Sequence, residues 1–401
     1  MKKLFAAAAA LAVAGPGYAQ TVTLKPLVDA RLRNESVHQD GLATDSDALT
    51  IRLRAGVEAD AGPWLALVEA QGTLAPVDHY YDGLNGAATR PLIGDPQNIA
   101  LYRAQLRYKK GALAVTAGRQ RITLDDERFV GASNFRDAGQ SFDAVRVEWA
   151  VIPKLKADVS YVWDVRTIWG IDGNGARPQA ISGNSILANL SWTTPVGALT
   201  GFAYLVDQDE AAVQGFRLSS QTYGGRFAGV HAFSERVKLS YAASFARQSD
   251  YGRNPNTYAA SYYLADVGLD IAALKLGGGY EVLGASSGSA LTSFQTPIAT
   301  VFKFQGWADK FTTTPADGVR DLYGSAGYGW KKVGPADAIT VQAVYHRFSS
   351  DRLARLYGDE ADLLASVKHG RTTLSARYAD YWAKGFATDT RKFWLQADWV
   401  Y

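Results

Sequence analysis

The sequence contains no cysteine and no hydrophobic segment long enough to cross a membrane as a helix. Without cysteine, neither disulfide bonds nor thiolate metal sites hold the fold together. The longest apolar segment, residues 4–14, is shorter than the roughly 20 residues that a membrane-spanning helix needs. Any part of this chain that spans a membrane must therefore do so with β-strands.

Charge of one sign is not in excess either, because 42 lysines and arginines stand against 39 acidic residues. This balance argues against a nucleic-acid partner. The chain starts with Lys2 and Lys3, continues with the apolar segment and then reaches the small-x-small triplet Gly17-Tyr18-Ala19. This order predicts a secretory signal peptide over residues 1–19, and a retained anchor is the weaker interpretation. No linker divides residues 20–401, so we predict one domain there.

Alternation of apolar and polar residues recurs along the chain, and helical periodicity is scarce. We predict eighteen strands, near residues 23–34, 48–59, 63–73, 99–108, 112–120, 141–150, 154–164, 184–193, 198–207, 217–228, 235–247, 259–270, 272–284, 320–330, 338–348, 359–368, 371–382 and 391–401. Short connections such as 109–111 alternate with long ones such as 121–140. Short turns on one rim and long loops on the other are typical of bacterial transmembrane β-barrels. The sequence therefore predicts an all-β, antiparallel transmembrane barrel of 18 strands, with both termini on the periplasmic side.

The stretch from residue 48 to residue 60 shows how the two faces of a strand differ. Ile51 and Leu53 alternate with Arg52 and Arg54, and successive side chains of a strand point to opposite faces. A soluble sheet with one wet face gives the same alternation, but eighteen strands without a domain boundary favour the barrel. We expect the aliphatic side chains to contact lipid and the arginines to face the lumen, because an arginine at the bilayer centre costs about 2–4 kcal/mol.

Strands one to seven carry more inward cations than inward anions, and we expect balanced charge in strands eight to eighteen. An electropositive strip in a confined lumen attracts anions more strongly than the same charges on an open surface. A structural lattice, in which each arginine pairs with a neighbouring carboxylate, is the alternative. The candidate pore-lining residues are Arg31, Arg33, Arg52, Arg54, Arg103, Arg107, Arg119, Arg128, Arg146 and Lys156. The candidate acids of a constriction loop are Asp125, Asp126, Glu127 and Asp143.

Residues 118–149 are the most distinctive segment of the chain, and the mixed charge of its loop predicts that the loop folds into the lumen. The segment contains Gly118, Arg119 and Gln120, then Asp126, Glu127, Arg128 and Gly131, then Phe142, Asp143 and Arg146. This pattern resembles that of the alginate export family of outer-membrane barrels. The resemblance implies an eighteen-stranded barrel whose arginine-rich constriction passes an anionic polysaccharide or related sugar acids. Gln140 stands close to a position where we expect a basic residue.

No set of residues in the sequence suggests an enzyme. The five histidines are scattered, and only His346 falls on a predicted strand, so we expect no catalytic residues, no metal and no cofactor. A barrel of this size leaves an aqueous channel unless it is plugged, and only a few residues precede the first strand. We therefore predict a passive, anion-selective channel of the bacterial outer membrane that exports an alginate-like polysaccharide. Uptake of sugar acids or other small anions is the alternative.

The expected partners follow from these predictions. They are outer-membrane lipid, an anionic saccharide substrate and, for export of a polymer, periplasmic proteins of a secretion complex. Three aromatic residues of the outer loops are candidates to stack on sugar rings, although packing within the loops is the stronger interpretation. They are Tyr80, Tyr81 and Trp169.

Overall fold

The computed structural model describes residues 21–209 and 215–401, so the predicted signal peptide lies outside the described residues. The strands are β1 (Thr23–Gln39), β2 (Ser46–Ala61), β3 (Trp64–His79), β4 (Asn98–Lys110), β5 (Leu113–Gln120), β6 (Ser141–Ile152), β7 (Leu155–Arg166), β8 (Ala180–Thr194), β9 (Gly197–Val206), β10 (Ser220–Ala232), β11 (Val237–Asp250), β12 (Ala259–Ile271), β13 (Leu274–Leu283), β14 (Val319–Val333), β15 (Ala336–Ser349), β16 (Leu356–His369), β17 (Thr372–Ala383) and β18 (Thr390–Val400). A short 3-10 helix covers Gly215–Leu218. Among the described residues, no helix has the length and apolarity to cross a membrane.

The strands form one closed sheet. Each strand pairs in an antiparallel direction with its neighbours in the chain, and β1 also pairs with β18. Leu32 of β1 lies between Ile51 of β2 and Ala397 of β18. Because every strand has a partner on both sides, the sheet has no open edge. The predicted fold class, an antiparallel barrel of 18 strands, is confirmed.

Short turns join the strands at one rim of the barrel. The turns between β4 and β5 and between β16 and β17 have two residues each. Gly111 and Gly370, in these turns, have φ angles of 57° and 54°. Two-residue hairpin turns need this left-handed conformation, which glycine adopts without strain. The turn sequences therefore hold the register of the strands at this rim.

Long loops occupy the opposite rim, and they include residues 80–97, 121–140 and 284–318. Thr23 at the start of β1 pairs with Asp60, close to the turn between β2 and β3. The end of β18 lies beside the turn between β16 and β17. Both ends of the described barrel are therefore at the short-turn rim.

The two faces of β2 are separated as the alternation predicts. Ile51 and Leu53 are 43% and 49% exposed on the outer surface, whereas Arg52 and Arg54 are only 2% and 4% exposed on the lumen side. Tryptophans also face outward where strands meet the short-turn rim. They are Trp64, Trp149, Trp192, Trp330 and Trp399. Such a ring suits the boundary between membrane and water.

Two long loops fold into the lumen and pack against each other. We call residues 121–140 the first lumen loop and residues 284–318 the second lumen loop. Val130 and Ile298 form a short parallel bridge between them, and both side chains belong to a large buried apolar cluster. The inward position of the first lumen loop agrees with the prediction. The second lumen loop is predicted only as a long connection, and it lies inside because its apolar side chains pack there.

Candidate functional site in the lumen

Arg31 and Arg33 of β1 hold the first lumen loop. Arg31 Nη1 donates a hydrogen bond to the backbone oxygen of Phe135 at 2.7 Å, and Arg33 donates to the same oxygen. Arg33 Nη1 lies 3.0 Å from Asp95 Oδ2, and Arg31 Nη1 lies 3.5 Å from Asp137 Oδ1. Arg33 is 1% exposed. These arginines therefore bind protein groups beneath the loops.

Arg52 and Arg54 of β2 lie under the same loop. Arg52 pairs with Asp29 of β1. Arg54 Nη2 donates to the backbone oxygen of Asp137 at 3.3 Å, and its guanidinium carbon lies 4.4 Å from the centre of the Tyr102 ring. A guanidinium above an aromatic face is attracted by the negative face of the ring. Arg54 thus braces the first lumen loop against the wall, whereas Arg52 joins β2 to β1 beneath it.

Arg103, Arg107 and Arg146 line the wall with more exposure, their side chains being 20%, 35% and 16% accessible. Each pairs with a carboxylate of a strand, at 2.6, 3.0 and 2.9 Å respectively. The partners are Glu69, Glu148 and Asp158. Lys156 is exposed on the inward side of β7 and has no carboxylate within 4.0 Å among the described residues. These four side chains are the most accessible predicted cations on the lumen side of the wall.

Every predicted pore-lining arginine has a carboxylate partner within the described residues. The contacts therefore match the structural lattice that the sequence analysis keeps as an alternative. A guanidinium has five N–H donors, and one carboxylate occupies at most two or three of them. Bracing the wall and contacting a passing anion are for this reason compatible roles.

Arg119 and Asp143 do not face the lumen, contrary to the sequence interpretation. The lumen side of β5 carries Thr116 and Gln120, both buried, and Arg119 lies on the opposite face because side chains alternate along a strand. Arg119 binds Asp143 through two hydrogen bonds of 2.7 and 2.8 Å. Asp143 also accepts a bond from Arg166 at 3.0 Å. This ion-pair group braces the outside of the wall near the long-loop rim.

The acids of the first lumen loop tie it to strands β8 to β10. Asp125 accepts a hydrogen bond from Asn189 Nδ2 at 2.9 Å, and Asp126 lies 2.9 Å from Arg226. Burial raises the pKa of Asp125 above its usual value. Glu127 accepts a bond of 2.6 Å from a hydroxyl group of the second lumen loop. The three acids therefore act as tethers.

Arg128 is buried against β12 and β13. Its Nε lies 2.6 Å from Glu281 Oε1, and the Tyr262 hydroxyl donates to the same oxygen at 2.8 Å. Burial alone would lower the pKa of Arg128, but the Glu281 carboxylate raises it above its usual value. Asp137 lies at β1 and β2 while Arg128 reaches β13, so the first lumen loop crosses the lumen. The loop is a constriction.

Gln140 connects the two lumen loops. Its Nε2 donates to the backbone oxygens of Gly131 at 2.8 Å and Ile298 at 3.0 Å. A side chain added at Gly131 would collide with the second lumen loop, because its Cβ would lie 2.2 Å from Thr300 Oγ1. The residue at which the chain departs from the expected basic pattern therefore has a structural role between the loops.

Strands β12 to β16 carry an acidic group on their lumen side that the sequence interpretation missed. Its members are Asp266, Glu281, Asp321, Glu360 and Asp362. Glu360 Oε1 accepts the backbone N–H groups of Trp307 and Ala308 at 2.5 and 2.8 Å, which anchors the second lumen loop. The expectation of balanced charge in strands eight to eighteen is wrong for this part of the wall. Alternation predicts that these side chains face inward, but their grouping depends on the pairing of distant strands.

Two cavities lie on either side of residues 301–309 of the second lumen loop. The outer cavity, of about 440 Å³, lies toward the long-loop rim and contacts residues 299–302 and 308–310. The inner cavity, of about 430 Å³, contacts residues 303–305 and the acidic group of β12 to β14. The same segment thus separates two spaces that are each large enough for a small molecule.

Comparison with known proteins finds one matching family. The family model for alginate export matches residues 25–185. This match confirms the resemblance over that part of the chain. The alginate export segment covers β1 to β7 and the start of β8, and it contains every predicted pore-lining residue. No curated protein matches the sequence.

Solved barrels share the fold at low sequence identity. OccAB4 of Acinetobacter baumannii has a TM-score of 0.69 and 13% identity, and the alignment covers 94% of this chain and 98% of that one. OpdK of Pseudomonas aeruginosa, solved with vanillate, has a TM-score of 0.67 and 12% identity, with 94% and 98% covered. OccAB3 of A. baumannii has a TM-score of 0.66 and 14% identity, with 94% and 99% covered. The chain is a β-barrel of the bacterial outer-membrane type.

Proposed function

We propose that this barrel is a passive outer-membrane channel for carboxylated saccharides. The observation that carries the proposal is the coincidence of two features in one segment. Residues 25–185 match the alginate export family, and the same residues supply the arginines that line the lumen beside the constriction. By the topology rule for such barrels, the long-loop rim is extracellular and the short-turn rim periplasmic.

Paired arginines suit transport of acidic sugars better than isolated cations do. Each pair leaves N–H donors free for weak contacts, and a guanidinium binds carboxylates in a two-pronged geometry. A channel must also release what it binds, so several weak contacts are better than one tight site. Arg103, Arg107 and Arg146 are accessible enough to make such contacts.

Export of an alginate-like polymer is the direction that the family match favours. Uptake of small sugar acids is a second candidate, and the two cavities favour it. Each cavity has the volume of a small-molecule site, and residues 301–309 lie between them. A long polymer would have to displace this segment, whereas a single sugar ring needs only a short-lived local movement.

The test is the reversal potential of single channels in a planar bilayer under a salt gradient. We expect the parent channel to be anion-selective. The variant with Arg103→Gln, Arg107→Gln and Arg146→Gln should shift its selectivity toward cations, because it leaves three wall carboxylates without their partners. The matched control adds Glu69→Gln, Glu148→Gln and Asp158→Asn, which removes the same pairs without changing the net charge. We expect this control to remain less anion-selective than the parent, because the net charge is restored but the arginine N–H donors are not. Recovery of the parent's full selectivity would mean that the arginines act only by neutralising the wall carboxylates.

Substrate and direction are tested with uronate chains of increasing length. Block of the ionic current by oligouronates, and passage of polymer-length chains into vesicles, would support export. Passage of monomers and dimers alone would support uptake. Cation selectivity in the parent, or an anion current that acidic sugars neither block nor share, would overturn the proposed substrate class.

A further inference from the structure

The outer cavity contains a cation that has no salt-bridge partner among the described residues. Four charged residues line the cavity: Arg136, Asp309, Lys310 and Lys392. Asp309 Oδ2 lies 2.7 Å from Arg136 Nη2 and 2.7 Å from Lys392 Nζ. Lys310 has no carboxylate within 4.0 Å among the described residues, and its Nζ contacts only Gln39 Oε1, at 3.4 Å. The cavity is therefore electropositive, and Lys310 is its available cation.

We propose that the outer cavity is a binding site for one carboxylate-bearing sugar ring, with Lys310 as the contact for the carboxylate. The inference deepens the proposed function, on which its substrate class rests. The site is separate from the arginine wall, because it lies on the long-loop side of residues 301–309. An acidic sugar at Lys310 would contact the face of the first lumen loop that carries Ser133, Phe135 and Arg136.

The remaining lining suits a sugar better than a simple anion. Trp169 and Phe302 line the cavity. Phe135 lines it as well, but its ring already contacts Phe302, at 3.3 Å between ring centroids, and the Arg33 guanidinium, at 4.4 Å. Aromatic faces pack against the apolar C–H surface of a sugar ring and are a usual part of ligand pockets. Four hydroxyl groups line the cavity, on Ser133, Thr167, Thr300 and Thr312. Those of Thr167 and Thr300 already donate to Pro178 and Glu127 and can serve a sugar as acceptors. The volume of about 440 Å³ falls within the range of small-molecule sites.

The charge of Lys310 depends on pH within an accessible range. Burial lowers its pKa to about 8, and the Lys392 cation acts in the same direction. Glu360 of β16, Asp309 of the second lumen loop and Asp389 of the loop after β17 act in the opposite direction but do not cancel the shift. Lys310 is therefore charged at pH 7 and loses its charge as the pH rises through about 8. A carboxylate bound to it should dissociate over the same interval.

Binding is measured by calorimetry on the purified full-length barrel in detergent, with D-glucuronate, a uronate trimer, D-glucose and inorganic phosphate as probes. The parent should bind both uronates and should not bind glucose. Lys310→Gln should weaken uronate binding at least tenfold, because it removes a charge-assisted hydrogen bond. Lys310→Arg keeps the charge and should bind within about threefold of the parent. Raising the pH from 7 to 9.5 should weaken binding about tenfold in the parent and leave Lys310→Arg unchanged.

A second pair of variants tests the sugar rather than the anion. Trp169→Leu should weaken binding of glucuronate and not of phosphate, while Trp169→Phe should keep most of the affinity. Equal uronate affinity in the parent and Lys310→Gln would overturn the site. Phosphate binding as tight as glucuronate, unaffected at Trp169, would overturn the sugar assignment. Calorimetry needs no transport, so failure of the site is distinguishable from failure of the channel, which the reversal potential reports.

Discussion

Asp137 holds the first lumen loop to β1 and β2. It is fully buried, accepts a hydrogen bond from Thr50 Oγ1 at 2.6 Å and lies 3.5 Å from Arg31. Burial alone would raise its pKa, but Arg33 and Arg31 lower it below the usual value. The carboxylate is therefore ionised at neutral pH, and its charge is part of what holds the loop to β1 and β2.

Replacing Asp137→Asn should release this part of the loop. The change keeps the shape but leaves buried arginines without a full partner, and removing one member of a buried ion pair costs on the order of 3–5 kcal/mol. We expect faster protease cleavage within the first lumen loop and a larger single-channel conductance. Asp172→Asn, in an exposed loop, is the matched control, and equal cleavage rates in both variants would contradict the role of Asp137.

The ion pairs of Asp137 with Arg31 and Arg33 also predict how the first lumen loop of the parent protein responds to acid. A carboxylate whose folded pKa is lowered stabilises the folded state above its ordinary pKa of about 3.9 and loses that contribution as the pH falls toward the lowered value. Protease cleavage of the parent loop, measured with an acid-active protease, should stay constant from pH 7 to about 4 and increase only below that. In Asp137→Asn this increase should be absent.

At the scale of elements, the first lumen loop crosses the lumen and is attached to several parts of the barrel wall. Its acids bind β8 to β10, Arg128 binds Glu281 of β13, and Asp137 contacts β1 and β2. Because the loop is fixed at several points on different strands, loss of one contact should release only the adjoining part of the loop. Its removal should therefore widen the channel while leaving the strand pairing intact.

Deletion of residues 123–138 should increase single-channel conductance several-fold. The control shortens the exposed tip of another loop, residues 85–89, and should leave conductance unchanged. Both proteins must retain the mobility difference between heated and unheated samples on a gel, which reports a closed barrel. A folded deletion variant with the parent's conductance would mean that the second lumen loop alone sets the narrowest point.

The elements differ in how far their positions could be predicted from sequence. Strands and their faces follow from alternation, which is a local property, so the inward position of Arg52 and Arg54 was predictable. Arg119 was placed on the wrong face because it lies at a strand end, where a shift of one residue reverses the direction of the side chain. The bond from Gln140 to Ile298 joins positions 158 residues apart. No local pattern encodes such a contact. The position of Lys310 in the outer cavity likewise results from packing between segments that are distant in the sequence.

At the scale of the whole molecule, the outer surface of the barrel is an apolar belt of the kind that outer-membrane barrels present to lipid. Leu53 is 49% exposed on this surface. Leu53→Arg should lower the free energy of unfolding in lipid vesicles by about 2–4 kcal/mol, measured by urea titration. Leu353→Arg, in a loop where the side chain is 60% exposed, should change it by less than about 0.5 kcal/mol. Equal losses would indicate that Leu53 does not contact lipid.

The pairing of β1 with β18 has a consequence for how the protein is made. Asp29 lies opposite Val400, so the cylinder is sealed by strands from the two ends of the described chain. During synthesis the first strand emerges long before its partner exists, and an unpaired strand edge readily joins other polypeptides. Pairing across such a sequence distance is also slow. We therefore expect the barrel to close only after the segment that forms β18 has been made, so that β1 stays without one of its two neighbours until then.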